Sequence, residues 1–225
     1  MRKILWTTAL LATALSGQTS DFEAMAVSQL PSQELRHSVS SDWYAAVTGK
    51  GDPPRWELRA DATAPNGSKV LAQVSEDRTS GRFPLAVYDK ADLENGSVQV
   101  KFKAVSGIVD QAAGIVWRYR DENNYYVVRA NALEDNVVLY KVEDGKRSSL
   151  SPIGRDGDYG VMHTIAANTW STLAVAFAGP RFTVSFDGTE LFQVEDATFR
   201  ESGKVGLWTK ADSVTYFDDF EVLGR

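Results

Sequence analysis

The chain has 225 residues, 43% of them hydrophobic and 11% aromatic, no cysteine, and a formal net charge of −6. The missing cysteines exclude a disulfide framework, and with only His37 and His163 they also exclude Cys/His zinc ligation. The acidic balance argues against nucleic acid or an anionic membrane as a general partner.

The first residues, MRKILWTTALLATALSG, read as a secretory signal over 1–16. Arg2 and Lys3 precede an apolar run from Ile4 to Leu15. That run falls short of the roughly 20 residues needed to span a bilayer, so no membrane span is expected. Cleavage after Ala14 or Ser16 would remove two cations and no acid, taking the charge from −6 to about −8 on the same count. The expected location is secreted or periplasmic. Residues 17–41, including DFEAMAVSQLPSQELRHSVSS, are polar with scattered apolar positions and read as a linker or loosely packed N-terminal arm.

From Trp43 onward the helical period is almost absent. Short runs of period two alternate with turn dipeptides: Asn66-Gly67, Asn95-Gly96, Asp144-Gly145 and Asp187-Gly188. SVQVKFKAV puts Val98, Val100, Phe102 and Ala104 on one face and Gln99, Lys101 and Lys103 on the other. STLAVAFAG groups Leu173, Val175 and Phe177, and RFTVSFDG groups Phe182, Val184 and Phe186. Roughly a dozen antiparallel strands at this spacing predict an all-β sandwich or barrel in residues 42–225, with one short helix-like stretch at EDATFRES. Trp117, Trp170 and Trp208 read as core. Trp43 and Trp56, flanking GKGDPPR, are expected to pack the first strand onto the sandwich.

GIVWRYRDENNYYVVRA, from Gly114 to Ala130, predicts a hairpin turning at Asp121 to Asn124. Antiparallel pairing then sorts Arg118, Arg120, Tyr125 and Arg129 to one face, with Val116 and Val127. Ile115, Trp117, Tyr119, Tyr126, Val128 and Ala130 go to the core. With a loop at Asn131 to Asp135, Val138, Tyr140 and Val142 join the core and Lys141 joins the arginine face. Guanidinium groups beside an aromatic ring suit sugar hydroxyls or carboxylates; arginines paired with carboxylates or facing water are the structural alternative.

The tail resembles the second half of a concanavalin A-like (laminin-G-like) jelly roll. The resemblance rests on Trp170 opening a strand, the Asp187-Gly188 hairpin, Gly203 to Leu207 (Gly-x-Val-Gly-Leu), and Phe217 to Val222 (Phe-Asp-Asp-Phe-x-Val). It covers roughly residues 43–223 and implies a jelly-roll β-sandwich. The superfamily holds lectins, binding modules, hydrolases and lyases, so the fold alone does not set an activity. The central hairpin is similar to the keto-disaccharide hydrolase branch of secreted, glucanase-like domains, whose Phe-Phe-Arg and Tyr-Glu-Val-Gln become Val116-Trp117-Arg118 and Tyr126-Val127-Val128-Arg129. The branch's carboxylate position is Val127, which removes its acid. The Glu-x-Asp-x-x-Glu run of laminarinase-type hydrolases is absent.

The resemblance also implies a structural calcium at Asp218, completed by backbone carbonyls, with an edge-protecting acidic pair as the alternative. Asp156-x-Asp158-x-Gly160 is a fragment of a calcium loop without its later Glu and reads as a turn. His163, flanked by apolar residues, reads as a core or edge residue rather than a general base.

The expected function is glycan or polysaccharide binding without catalysis, through Arg118, Arg120, Tyr125, Arg129 and Lys141. The alternatives are a glycan-degrading enzyme, drawing acids from Glu76, Asp77, Asp110, Asp121 and Glu122, and a structural or protein-interaction domain.

Overall fold

The computed structural model describes residues 17–38 and 41–225, and the expected signal segment lies outside them. They form sixteen strands and no α-helix: β1 (Gly17–Ser20), β2 (Trp43–Gly49), β3 (Trp56–Ala60), β4 (Lys69–Gln73), β5 (Arg82–Leu93), β6 (Gly96–Ser106), β7 (Ala112–Asp121), β8 (Asn124–Asn131), β9 (Asn136–Glu143), β10 (Lys146–Leu150), β11 (Val161–Met162), β12 (Ser171–Ala178), β13 (Arg181–Phe186), β14 (Thr189–Glu195), β15 (Gly203–Trp208) and β16 (Val214–Gly224). The helix-like stretch at EDATFRES is instead an irregular crossing between β14 and β15. Among the described residues no helix is long and apolar enough to cross a membrane.

Two antiparallel sheets face each other. The first runs β14-β13-β12-β6-β16-β4-β3, with β1 on β16, and the second runs β10-β9-β8-β7-β15-β5-β2, with β11 on β9. Alternation in the sequence sets the inner face of the first sheet. Val98, Val100 and Phe102 of β6, Leu173, Val175 and Phe177 of β12, and Phe182, Val184 and Phe186 of β13 are buried in the core, while Gln99 is exposed. The second sheet contributes Ile115, Trp117, Tyr126, Val128 and Leu139 to the same core. The chain has the concanavalin A-like jelly-roll sandwich that its tail resembles.

The turn chemistry was legible at two of the four dipeptides. Asp144-Gly145 and Asp187-Gly188 have positive φ at both residues and close the β9–β10 and β13–β14 hairpins. Asn66-Gly67 has it only at Gly67 and lies in the β3–β4 loop, and Asn95-Gly96 carries the chain from one sheet to the other. Trp43 and Trp56 are buried in the core as expected.

The N-terminal arm is packed, not loose. Its β1 pairs Gly17 with Leu223 and Ser20 with Phe220. Phe22 and Leu30 are core residues, with Met25 and Val27 against them. The polar composition hid this because four apolar side chains at irregular spacing carry no period.

The second sheet is apolar on both faces. A second buried cluster of Tyr44, Phe83, Leu85, Val87, Val116, Tyr119, Tyr125, Val127, Val138, Tyr140, Val142 and Trp208 covers its outer side. The sheet is strongly curled. Thr48 on β2 and Tyr125 on β8 stand four strands apart, about 19 Å on a flat sheet, yet their hydroxyls hydrogen-bond at 2.7 Å. The outer face is therefore a hollow, and its own side chains meet across it.

Candidate functional site

The residues expected to share one face are divided between two places, for two local reasons. The first is a bulge in β7: between Trp117 and Asp121 the pairing with β8 shifts, and Arg118 has φ 47°. This left-handed residue turns its side chain inward and sends Tyr119 to the outer cluster. Gly203 makes room for it: a Cβ there would lie 2.6 Å from the carbonyl carbon of Arg118. The second is the β8–β9 loop, which is one residue shorter than expected. Asn131 pairs with Asn136, so Val127 faces Tyr140 and Val128 faces Leu139. That slip puts Val138, Tyr140 and Val142 on the outer face and Val137 and Leu139 in the core.

Arg118, Arg120 and Lys141 consequently hold the β14–β15 crossing rather than forming an open surface. Buried Arg118 donates to Phe199 O at 2.7 Å, Gly179 O at 2.7 Å and Glu94 O at 2.8 Å, and lies over the rings of Phe177 and Phe182. Arg120 pairs with Glu201 at 3.2 Å and covers Phe199. Lys141 donates to Thr198 Oγ1 at 2.8 Å and pairs with Glu143 at 3.3 Å. Tyr126 donates to Asp196 at 2.5 Å and accepts from Phe199 N. Burial would raise the Asp196 carboxyl, but hydrogen bonds from Tyr126 and Thr198 bring it below its ordinary value.

Tyr125 and Arg129 do lie on the hollow face, and both are fully buried. Arg129 makes a bidentate pair with Glu134 (3.1 and 2.9 Å) and donates to Asn136. Beside it Asp110 accepts from Asn131 at 2.7 Å and from Lys210. Burial pushes the Asp110 carboxyl up despite Lys210. The Glu134 carboxyl is lowered: partial burial opposes this, and the Arg129 hydrogen bond and charge outweigh it. Of the acids proposed for catalysis, Asp110 is the one in this network; Asp77 and Asp121 cap turns.

Sequence reasoning missed the centre of the hollow. Arg147, from β10, places its guanidinium 4.3 Å from the Tyr140 ring, 4.7 Å from Phe83 and 5.6 Å from Trp208. Its Nη1 is buried without a hydrogen-bond partner, as is Nε of Arg129. Tyr159, half exposed, stands edge-on to Tyr140 and shares a hydrogen bond with it. Arg36 of the arm lies 5.1 Å from the Tyr44 ring, and its Nε is likewise buried and unpartnered. Burial pushes the phenols of Tyr44 and Tyr125 up to about 12, so both keep their protons at ordinary pH. These residues come from the arm, six strands and the β10–β11 loop, and no spacing in the sequence links them.

Three other expectations concern single residues. Trp170 is not core; it is partly exposed on the first sheet, donates to Thr63 Oγ1 at 3.1 Å and lies 5.2 Å from Lys103 Nζ. His163 packs its ring 4.5 Å from Phe186. Asp218 is fully buried, accepting from Asn66 N at 2.9 Å and Asp219 N at 2.8 Å. Burial raises its carboxyl, and Asp219 and Asp21 add to this. A cation beside it would relieve that cost, so the site suits calcium in charge. Among the described residues no three His, Cys, Asp or Glu side chains gather, so calcium there would draw most of its oxygens from backbone carbonyls and water.

No protein-family model matches the chain, and no curated protein matches it. Solved structures do. A carbohydrate binding module, CBM66 from Bacillus subtilis, superposes with a TM-score of 0.59 at 17% identity, over 80% of this chain and 95% of its own. The cellulose induced protein Cip1 gives 0.60 at 12% identity, over 91% and 96%. The β-glucanase of Bacillus licheniformis gives 0.54 at 12% identity, over 93% and 98%. At these identities the likeness is one of fold: the chain is similar in architecture to all three, as a jelly-roll β-sandwich.

Proposed function

We propose that this chain is an exported carbohydrate-binding module without catalysis, and that its site is the hollow face of the second sheet. The observation that carries the reading is Arg147 among the rings of Tyr140, Phe83 and Trp208 with a buried, unpartnered Nη1, beside half-exposed Tyr159. Aromatic faces match the apolar face of a sugar ring, and fixed N–H donors match its hydroxyls. Likeness to a carbohydrate binding module supports the reading by analogy of fold alone.

The alternative is a glycan-degrading enzyme, and one observation favours it. Asp110 and Glu134 share a network, one carboxyl raised and the other lowered, the division of labour an acid and a base require. Against it, Asp110 is buried and both its oxygens are already engaged. Binding and reducing-sugar release, measured on a broad polysaccharide panel with wild type and Tyr159→Ala, separate the two. Binding without turnover, weakened in Tyr159→Ala, supports the module. Turnover abolished by Glu134→Gln supports the enzyme. The absence of any glycan binding sinks both.

A further inference from the structure

The cationic side chains of the second sheet differ in what neutralises them. Arg129 has Glu134, Lys210 has Asp110, Arg120 has Glu201, and Arg82 has Asp77 at 3.6 Å as well as the carbonyls of Asp52, Pro53 and Ala211. Arg147 has aromatic rings in the place of an anion; Arg36 has the Tyr44 ring and the Gln33 carbonyl at 2.9 Å, with exposed Glu34 near it but not ion-paired. Among the described residues the arginines that carry a buried unpartnered nitrogen are Arg36, Arg129 and Arg147, and all three face the hollow. A buried donor without an acceptor costs free energy, and a charged one costs more. Arg129 has Glu134, but in a chain of net charge −6, with 30 acidic residues to choose from, Arg147 and Arg36 make no ion pair among the described residues.

We infer that the hollow takes a glycan bearing anionic groups, with Arg147 and Arg36 supplying the counter-charge. The inference rests on the proposed glycan site and goes beyond it by fixing the class of ligand. A carboxylate or sulfate supplies the planar or multiple acceptors that a guanidinium fork matches, where a sugar hydroxyl supplies one. The overall negative charge repels a polyanion at long range, so only a local arrangement of cations holds one. The aromatic rings beneath carry the sugar ring; the acids beside Arg129, Glu134 and Asp110, are already neutralised by Arg129 and Lys210, while Glu122 and Asp121 lie at the Tyr119 end of the face.

The test is a glycan array of neutral, uronate-containing and sulfated oligosaccharides, followed by calorimetry with polygalacturonate against its methyl ester and dextran sulfate against dextran. The proteins are the exported chain, Arg147→Ala and Arg36→Ala, each checked for an unchanged cooperative melt. Charged glycans bound at least tenfold tighter than neutral ones, with that margin lost in Arg147→Ala, is the expected result. If Arg147→Ala fails to fold, Arg36→Ala at the half-buried rim carries the same comparison. Binding of polygalacturonate but not its ester identifies carboxylate, and binding of dextran sulfate identifies sulfate. Neutral glycans bound as tightly as charged ones, or charged binding unchanged in the arginine variants, overturns the inference and leaves the glycan site standing. No binding to any member of the array overturns the site itself.

Discussion

Arg118 donates through Nη1 to the carbonyl oxygen of Phe199 at 2.7 Å, tying a bulged strand to the segment that crosses between the sheets. Two further carbonyls, of Gly179 and Glu94, share the same guanidinium. An arginine in this setting is a structural clamp. Arg118→Ala is expected to leave these carbonyls short of a donor and to cost about 3 kcal/mol or more, read as a lower urea midpoint. Glycan affinity per folded molecule stays unchanged, because Arg118 points away from the hollow. A variant with normal stability and lost binding would refute this assignment.

Gly203→Ala tests the other half of that contact. The added methyl group would press on the backbone of Arg118 and Tyr119, at 2.6 to 2.9 Å. Backbone cannot yield as a flexible side chain does, so the expected loss is about 1–3 kcal/mol. Gly154→Ala is the control for space, since nothing lies near its Cβ, although its φ of 77° still strains an L residue. The larger loss is expected at Gly203.

Tyr159→Ala separates binding from stability. The ring is half exposed, so its loss should change the melting midpoint little. If it is a stacking surface for sugar, affinity should fall roughly tenfold, about 1.4 kcal/mol. Equal affinity in the two proteins would move the site elsewhere on the chain.

Asp110 gives a pH signature. Its folded-state carboxyl is raised by burial, so the folded chain holds that proton more tightly than the unfolded chain. Its contribution is fully present below the ordinary aspartate range and is lost as pH rises through the raised value. Asp77 acts in the opposite sense. Backbone N–H groups of Asp52 and Thr79 lower it to about 2, so its contribution is present above the ordinary range and is lost as pH falls toward about 2. Asp110→Asn should therefore remove a decline in stability between acidic and neutral pH and leave the low-pH loss in place. Urea midpoints across pH 2 to 8 for both proteins check it; parallel curves would exclude Asp110 as the source.

Calcium at Asp218 makes a separate prediction. If the buried carboxylate takes a cation, millimolar calcium should raise the melting midpoint, a chelator should reverse it, and Asp218→Asn should abolish the difference. A midpoint indifferent to calcium in the wild type removes the metal from the account and leaves Asp218 as an acceptor for the N–H groups of Asn66 and Asp219.

The fold was legible where one face is wet. In β6, β12 and β13 the alternation of Val98, Leu173 and Phe182 with exposed or half-buried neighbours pins each strand's orientation. It was illegible where both faces are buried. In β8 and β9, Tyr125 to Ala130 and Val137 to Tyr140 are all buried, so no polar position marks the outer side. A one-residue difference in the loop then reversed β9 unseen. The bulge at Arg118 was hidden for another reason: positive φ at an arginine, unlike at the Asp of an Asp-Gly turn, leaves no mark in the sequence. The candidate site suffered most, because Phe83, Arg147, Tyr159 and Trp208 meet only through the curl of the sheet.

The pairing of β1 with β16 has a mechanical consequence. Gly17 and Leu223 sit side by side, and the two strands run antiparallel away from them. A load applied at these two points opens the ladder like a zipper, one hydrogen bond at a time, instead of shearing all of it together. The domain should therefore yield at low force from this corner, shedding β1 and drawing Phe22 out of the core while the rest of the sandwich stays closed. Tethered the same way, it is a compliant joint with a rigid body behind it.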